Sequence, residues 1–281
     1  TNEDIYTLKT DWLTDNVIAF WEEYLEREYL ANYKNANIVL LRPSMSFMLL
    51  QTPDPSTLRE ALPDFTKTTH IFLPINDCRN VNEAEGGTHW SLLLVSVIDA
   101  FAFHYDSLPP GNRDEAYQVT GKLSSLLDKP LRFINLSDSP VQENSSDCGV
   151  FVCLQMRHLL LKRLLVATSS EKISMSLGGM KLNASNGRRE IVRIIERFRK
   201  KGERRRSYVH IFTAIITLFC VCRLLLITIL PVLPLYLFPT PPWLPEQAPG
   251  FRRCGLASPP SARQSKMAVY ISSYMCIKSK N

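Results

Sequence analysis

Two apolar runs separated by only two residues constrain this chain more than any other feature. Trp90 to Ile98 and Phe101 to Tyr105 flank Asp99-Ala100, a spacing that predicts an antiparallel hairpin. Neither run alternates apolar with polar residues, so the sheet they belong to must be covered on both faces. The sequence supplies helices to cover it. Asp15 to Tyr29 places Val17, Ile18, Trp21, Tyr24, Leu25 and Tyr29 at helical spacing behind the capping candidate Thr14. Cys148 to Leu165 is strongly apolar, with Asp147 at its N-cap position. Asn37 to Leu41, Thr69 to Ile75 and Leu131 to Leu136 add strand candidates. Ser44 to Leu50, Ser56 to Leu62, a polar stretch from beyond Pro109-Pro110-Gly111 to about Leu127, and Arg188 to Lys201 add helices, with Ser169 to Asn186 as a loop. Without regular βαβ alternation, the expected fold is α+β, a mixed sheet around a central helix within residues 1–206.

The charge distribution excludes one class of function. The 281 residues carry a net charge of +6, which invites a nucleic-acid reading. Residues 207–281, however, hold seven basic residues and one acid, so the first 206 are balanced. Ten basic residues against three acids lie between Asn186 and Arg206, leaving everything upstream acidic. No nucleic-acid partner is expected. Of seven cysteines, only Cys78, Cys148 and Cys153 precede residue 207. Three cysteines make no disulfide framework, and no signal-peptide pattern opens the sequence, so a cytosolic or nuclear compartment is expected.

Cys148 carries the first chemical signal. A thiol opening a helix faces unpaired backbone N–H groups and the positive end of the helix dipole, both of which favour the anion. Gly149 would leave room for a substrate backbone to approach. The ordinary alternative is a buried structural thiol, as Cys153 is expected to be. A cysteine nucleophile needs a base and a group to orient it. His89 lies at a loop-to-strand junction, Asp106 ends the next strand, and the hairpin would bring them together at its open end. A core histidine and a turn-capping carboxylate are the alternatives. Gln142, six residues before Cys148 in a polar loop, could supply a side-chain amide to an oxyanion, or be an exposed loop glutamine.

Together the segments are more specific than any one alone. Gly86-Gly87-Thr88-His89-Trp90-Ser91-Leu92-Leu93, then His104-Tyr105-Asp106-Ser107, then Gln142 and Asp147-Cys148-Gly149 closely resemble the ubiquitin-like-protein-specific (sentrin/SUMO-type) cysteine proteases. The order His, Asp, Gln, Cys is that family's order. Asp11-Trp12-Leu13-Thr14-Asp15 is similar to its Trp-Leu-Asn-Asp segment, with Thr14 in place of Asn. Ile75-Asn76-Asp77 and the Gly-Gly-Thr-His-Trp wording look most like the small deneddylase branch. The resemblance implies a papain-like core, with Cys148 as nucleophile, His89 as base, Asp106 orienting it and Gln142 holding the oxyanion. It implies no metal and no cofactor. It assigns Trp12 and Trp90 to a narrow channel for the diglycine tail and Asp15 to a contact with that tail. The implied partners are a Nedd-type (Rub) modifier and its Lys-linked conjugates, such as cullins. A SUMO-type protease and an inactive modifier-binding module are the alternatives.

The resemblance stops before the last 75 residues. Tyr208 to Phe238 is apolar apart from Arg223 and is flanked by the basic run ending at Arg206. It reads either as a membrane anchor facing the protease to the cytosol or as a disordered or mis-spliced extension. The Pro-rich, aperiodic stretch from Thr240 to Asn281 favours the second.

Overall fold

A computed structural model describes residues 2–81, 86–167 and 173–204. The elements run α1 (Asn2–Thr10), α2 (Asp15–Glu28), β1 (Ile38–Leu40), α3 (Pro43–Gln51), β2 (His70–Asn76), β3 (Trp90–Ser96), β4 (Phe101–Tyr105), α4 (Arg113–Leu126), β5 (Arg132–Leu136) and α5 (Cys148–Leu159). A π-helical turn over Leu160–Leu164 extends α5, and a last helix, α6, occupies residues 184–204. The expected boundary at residue 206, the apolar segment 208–238 and its anchor reading lie outside the described residues. Among the described residues, no helix is long and apolar enough to cross a membrane.

The sheet is mixed, in the order β1-β2-β3-β4-β5, with parallel outer pairs and an antiparallel centre. Its continuous apolar strands are buried on both faces, as the hairpin runs predict. Phe72, Leu92, Leu94 and Tyr105 point into one core with Trp21 and Leu25 of α2, Val150 and Val152 of α5, and Ile191 of α6. Ile71, Leu73, Leu93 and Val95 point into the other with Leu49 of α3 and Val119 and Leu123 of α4. The alternation of the pleat thus sends neighbouring residues of β2 and β3 to opposite apolar layers. This is the α+β architecture expected.

Local differences have physical causes. The β3–β4 turn is four residues rather than two, because Ser96 Oγ donates to Asp99 Oδ2 at 2.6 Å and closes it early. Ala100 then takes a φ of 62°. Only Pro55–Leu58 of the expected Ser56 helix is helical, as a 3-10 turn capped by Asp54 Oδ1, which accepts from Ser56 N at 2.9 Å. Helix α6 starts at 184, before the expected Arg188, behind Asn183, whose Oδ1 accepts from Asn186 N at 2.8 Å. Helix α1 was not expected. It is short, and long-range contacts hold it: Leu8 is buried in the first core, and Thr14 Oγ1 donates to Asp4 Oδ1 at 2.7 Å. The Thr14 cap of α2 forms as predicted, its hydroxyl accepting from Val17 N.

Trp21 shows what joins α2 to the nucleophile helix. Its ring is fully buried, and Nε1 donates to the Cys153 carbonyl at 2.8 Å. Trp21→Phe removes the donor and part of the packing volume, and should lower the unfolding free energy by about 1–3 kcal/mol. Urea unfolding measures the loss, while kcat per folded enzyme should stay unchanged because Trp21 lies in the core, away from the cleft.

Candidate active site

The β3–β4 register pairs Leu92 with Tyr105 and Ser96 with Phe101. Extended past the strand ends, this register puts Asp106 opposite Ser91, so His89, two residues earlier on the same face, is its diagonal neighbour at the open end of the hairpin. His89 Nε2 donates to Asp106 Oδ1 at 2.6 Å, and Leu108 N donates to the same oxygen at 2.9 Å. Burial alone would lower the His89 pKa. Hydrogen bonds and charge from Asp106, and then from Cys148, outweigh burial and push it up to about 9. Burial would raise the Asp106 pKa, but its bonds from His89 and Leu108 hold it below the usual carboxylate range. With Nε2 committed to Asp106, Nδ1 is the nitrogen left to face Cys148.

Cys148 is buried at the first position of α5. Asp147 occupies the N-cap position but makes no side-chain cap. Its carboxylate turns instead to Arg188 of α6, whose Nη2 lies 2.7 Å from Oδ1. Asn144 organises the turn: its Oδ1 accepts from Ser146 N and Asp147 N, both at 3.0 Å. Gly149 serves a different purpose from the one expected. A Cβ there would lie 2.8 Å from Leu13 Cβ, so the missing side chain lets the Trp12-Leu13 segment pack on the first turn of the nucleophile helix.

That packing assembles a cleft of about 190 Å³ lined by Trp12, Asp15, His89, Trp90 and Cys148, with Gly86, Gly87 and Thr88 along one side. Trp12 is 42% exposed, and its Nε1 donates to Ser145 O at 2.9 Å. Trp90 Nε1 donates to Leu13 O at 3.1 Å. Each indole is thus pinned to a backbone carbonyl of another segment. Gln142 is buried behind it. Its Oε1 accepts from Ser107 Oγ at 2.7 Å, and Nε2 donates to Asn144 O at 2.5 Å, leaving one amide hydrogen uncommitted. His104, the competing histidine, is a core residue bonded to Ser91 and Asn135. Among the described residues no group of acidic, His and Cys side chains could hold a metal.

Two residues that hold His89 have no role assigned from the sequence: Asp77, which figures there only within Ile75-Asn76-Asp77, and Asn112. Asp77 Oδ1 accepts from Thr88 N at 2.6 Å and from His89 N at 3.0 Å. Burial would raise its pKa, but these bonds and the Thr88 hydroxyl lower it. Asn112 Nδ2 donates to the His89 carbonyl at 3.0 Å and to Ile75 O at 2.9 Å. The peptide groups on both sides of the base are therefore held by side chains. Asp77 follows a strand and Asn112 precedes a helix, places where Asp and Asn are ordinary, so no local signal marks them.

Two outcomes follow from the dyad. An ordinary histidine pKa is about 6.5, and that of His89 is about 9, so the folded state retains a proton that the unfolded chain releases. The associated stability is full below about pH 6.5 and disappears as the pH rises through about 9. The stability gap between wild type and Asp106→Asn should therefore be widest at mildly acidic pH and close toward alkaline pH in urea titrations; a pH-independent gap would contradict the assignment. Gly111 backs the pair, and a Cβ there would lie 2.4 Å from Asp106 Oδ2 and 2.6 Å from His89 Cδ2. Gly111→Ala should lower kcat on the order of 10²-fold by displacing the dyad, whereas Gly121→Ala, where the added methyl meets nothing, should leave steady-state rates unaltered.

Over residues 11–175 the sequence matches the Ulp1 protease family, C-terminal catalytic domain. It is 35% identical over 188 residues to NEDD8-specific protease 2 of Schizosaccharomyces pombe, covering 66% of this chain and 45% of that protein. It is 34% identical over 146 residues to Sentrin-specific protease 8 of Homo sapiens, covering 50% of this chain and 67% of that one. The solved C-terminal Ulp1 protease domain in complex with Smt3, the yeast ortholog of SUMO, is similar with a TM-score of 0.48 at 22% identity, covering 69% of this chain and 80% of that one. The chain spans less than half the length of the fission-yeast relative. The matched stretch contains the hairpin, the paired His89 and Asp106, Gln142 and the Cys148 helix, and the chain belongs to the Ulp1 protease family.

Proposed function

We propose that this chain is a cysteine isopeptidase that cleaves after the C-terminal Gly-Gly of a Nedd-type ubiquitin-like modifier, freeing it from Lys-linked conjugates such as cullins and processing its precursor. The observation that carries this reading is the 2.6 Å His89–Asp106 bond beside Cys148, in a cleft flanked by two tryptophans. The relatives named as NEDD8-specific proteases support the choice of modifier. The three cysteines among the described residues are free, which suits a reducing compartment of the cytosol or nucleus.

The chemistry runs as follows. His89, which stays protonated up to about pH 9, holds at Nδ1 the proton taken from Cys148, and Asp106 stabilises the imidazolium and fixes the ring. The thiolate attacks the carbonyl of the terminal glycine. The backbone N–H of Cys148 and the free amide hydrogen of Gln142 receive the oxyanion. His89 returns the proton to the leaving lysine amine, and water deprotonated by the same imidazole then hydrolyses the thioester. Trp12 and Trp90 restrict the channel to a tail without side chains, and Asp15 holds the extended tail. No step requires a metal or cofactor.

Incubation with C-terminal vinyl sulfones of Nedd-type, SUMO-type and ubiquitin modifiers tests this directly. Cys148 should be labelled by the Nedd-type probe first, with labelling and conjugate cleavage both abolished in Cys148→Ala. Preferential labelling by the SUMO-type probe would reassign the modifier; modifier binding with no labelling by any probe would make the chain a binding module.

A further inference from the structure

A side chain from outside the matched family region also holds the turn before Cys148. Arg188 lies on α6, and its residue is only 6% exposed. Nε donates to Asp147 Oδ1 at 2.8 Å, Nη2 to Ser146 O at 2.9 Å, and Nη1 to Thr7 O of α1 at 3.1 Å. One planar guanidinium therefore ties together α6, α1 and the two residues preceding Cys148. The network continues. Asn144 Nδ2 donates to Asp147 Oδ2 at 2.8 Å, and Asn144 O accepts from Gln142 Nε2 at 2.5 Å. Trp12 holds the next carbonyl of the same loop, Ser145 O.

We propose that Arg188 is a positioning residue for catalysis, a latch that sets the turn carrying the Cys148 N–H and the Gln142 amide at the spacing an oxyanion needs. Two features separate this role from ordinary helix docking. The guanidinium bonds a carboxylate and a carbonyl on consecutive residues, which fixes the direction of the turn as well as its position. It also neutralises the Asp147 carboxylate, which would otherwise stand unpaired beside the nucleophile. Lysine retains the charge but cannot span three acceptors in one plane. The tail cleft contains no atom of Arg188, and the network reaches it only indirectly, through Thr7 and Trp12, so the larger effect of the latch falls on the chemical step. This inference rests on the reading of Cys148 as the nucleophile.

The test compares Arg188→Met, Arg188→Lys, Asp147→Asn and the Arg188→Met/Asp147→Asn pair in the full chain. Rates are expressed per active site titrated with the modifier vinyl sulfone. Both Arg188 variants should lose kcat on the order of 10- to 100-fold with a much smaller change in KM. The double variant should be no worse than the poorer single one, because both substitutions open the same latch. Glu190→Gln breaks the α6–α5 ion pair with Arg157, and should lower the thermal midpoint without altering kcat per site. If Arg188 served only to dock α6, its variants would behave like Glu190→Gln, and the proposal would fall. Strictly additive losses in the double variant would also overturn it. A wild type that reacts with no modifier probe would refute the proposed function instead, and Cys148 alkylation by chloroacetamide, slowed in Arg188→Met, would then still report on the latch.

Discussion

Everything at this site depends on the antiparallel pairing of β3 with β4. The pairing is driven by burial of both strands between two apolar layers, and its register places Asp106, just after β4, opposite Ser91 and diagonally within reach of His89, just before β3. His89 and Asp106 are therefore brought together by core packing remote from the chemistry. A slip of one residue would exchange the two faces of the hairpin, sending Leu92 and Leu94 into the layer that Leu93 and Val95 now occupy. It would also move Asp106 away from the imidazole. Fold stability and catalytic geometry are one constraint here, since the apolar residues that specify the register also specify the dyad.

The hairpin brings a charged pair into a poorly solvated place, and the surrounding polar groups offset that desolvation. Asp106 receives His89 and Leu108 N on one oxygen, and the base is held through its own backbone by Asp77 and Asn112. The result is an imidazole whose proton affinity is set by its partners against the effect of burial. Cys148 is held by different means. Its turn is shaped by Asn144 from within the loop, by Arg188 of α6 and by Trp12 of the α1–α2 connection.

The distinction between these two kinds of contact explains what could be read in the sequence. The hairpin, the α2 helix with its Thr14 cap, and the apolar helix opening at Cys148 each have a periodic or local pattern, and each forms. Trp12, Asp15 and Trp90, singled out by resemblance to a family and not by spacing, line one cleft with Cys148. The α1 helix, Asp77, Asn112, and the pairing of Asp147 with Arg188 had no such pattern. Each depends on contacts between segments far apart in the chain, and a polar residue gives no local sign of its distant partner. Asp147 is instructive: its type and position suit a helix cap, but a buried guanidinium competes for the carboxylate and wins because a charge-assisted bond in a dry setting outweighs a neutral N–H cap.

Gly149 shows how closely packing and specificity are joined. The family motif places a glycine after the nucleophile, and the simplest expectation is space for substrate. The space is instead taken by Leu13. Leu13 brings Trp12 to the lip of the cleft on one side and offers its carbonyl to Trp90 on the other. A Cβ at 149 would lie 2.8 Å from Leu13 Cβ, so the close seating of Leu13 on the first turn of α5 requires glycine there. A larger residue at 149 would leave the channel's chemistry intact but push Leu13, and with it Trp12, away from Cys148. Under the proposed function, selection for a tail without side chains would follow from how closely Leu13 approaches the helix that Cys148 opens, with the two tryptophans as the proposed walls.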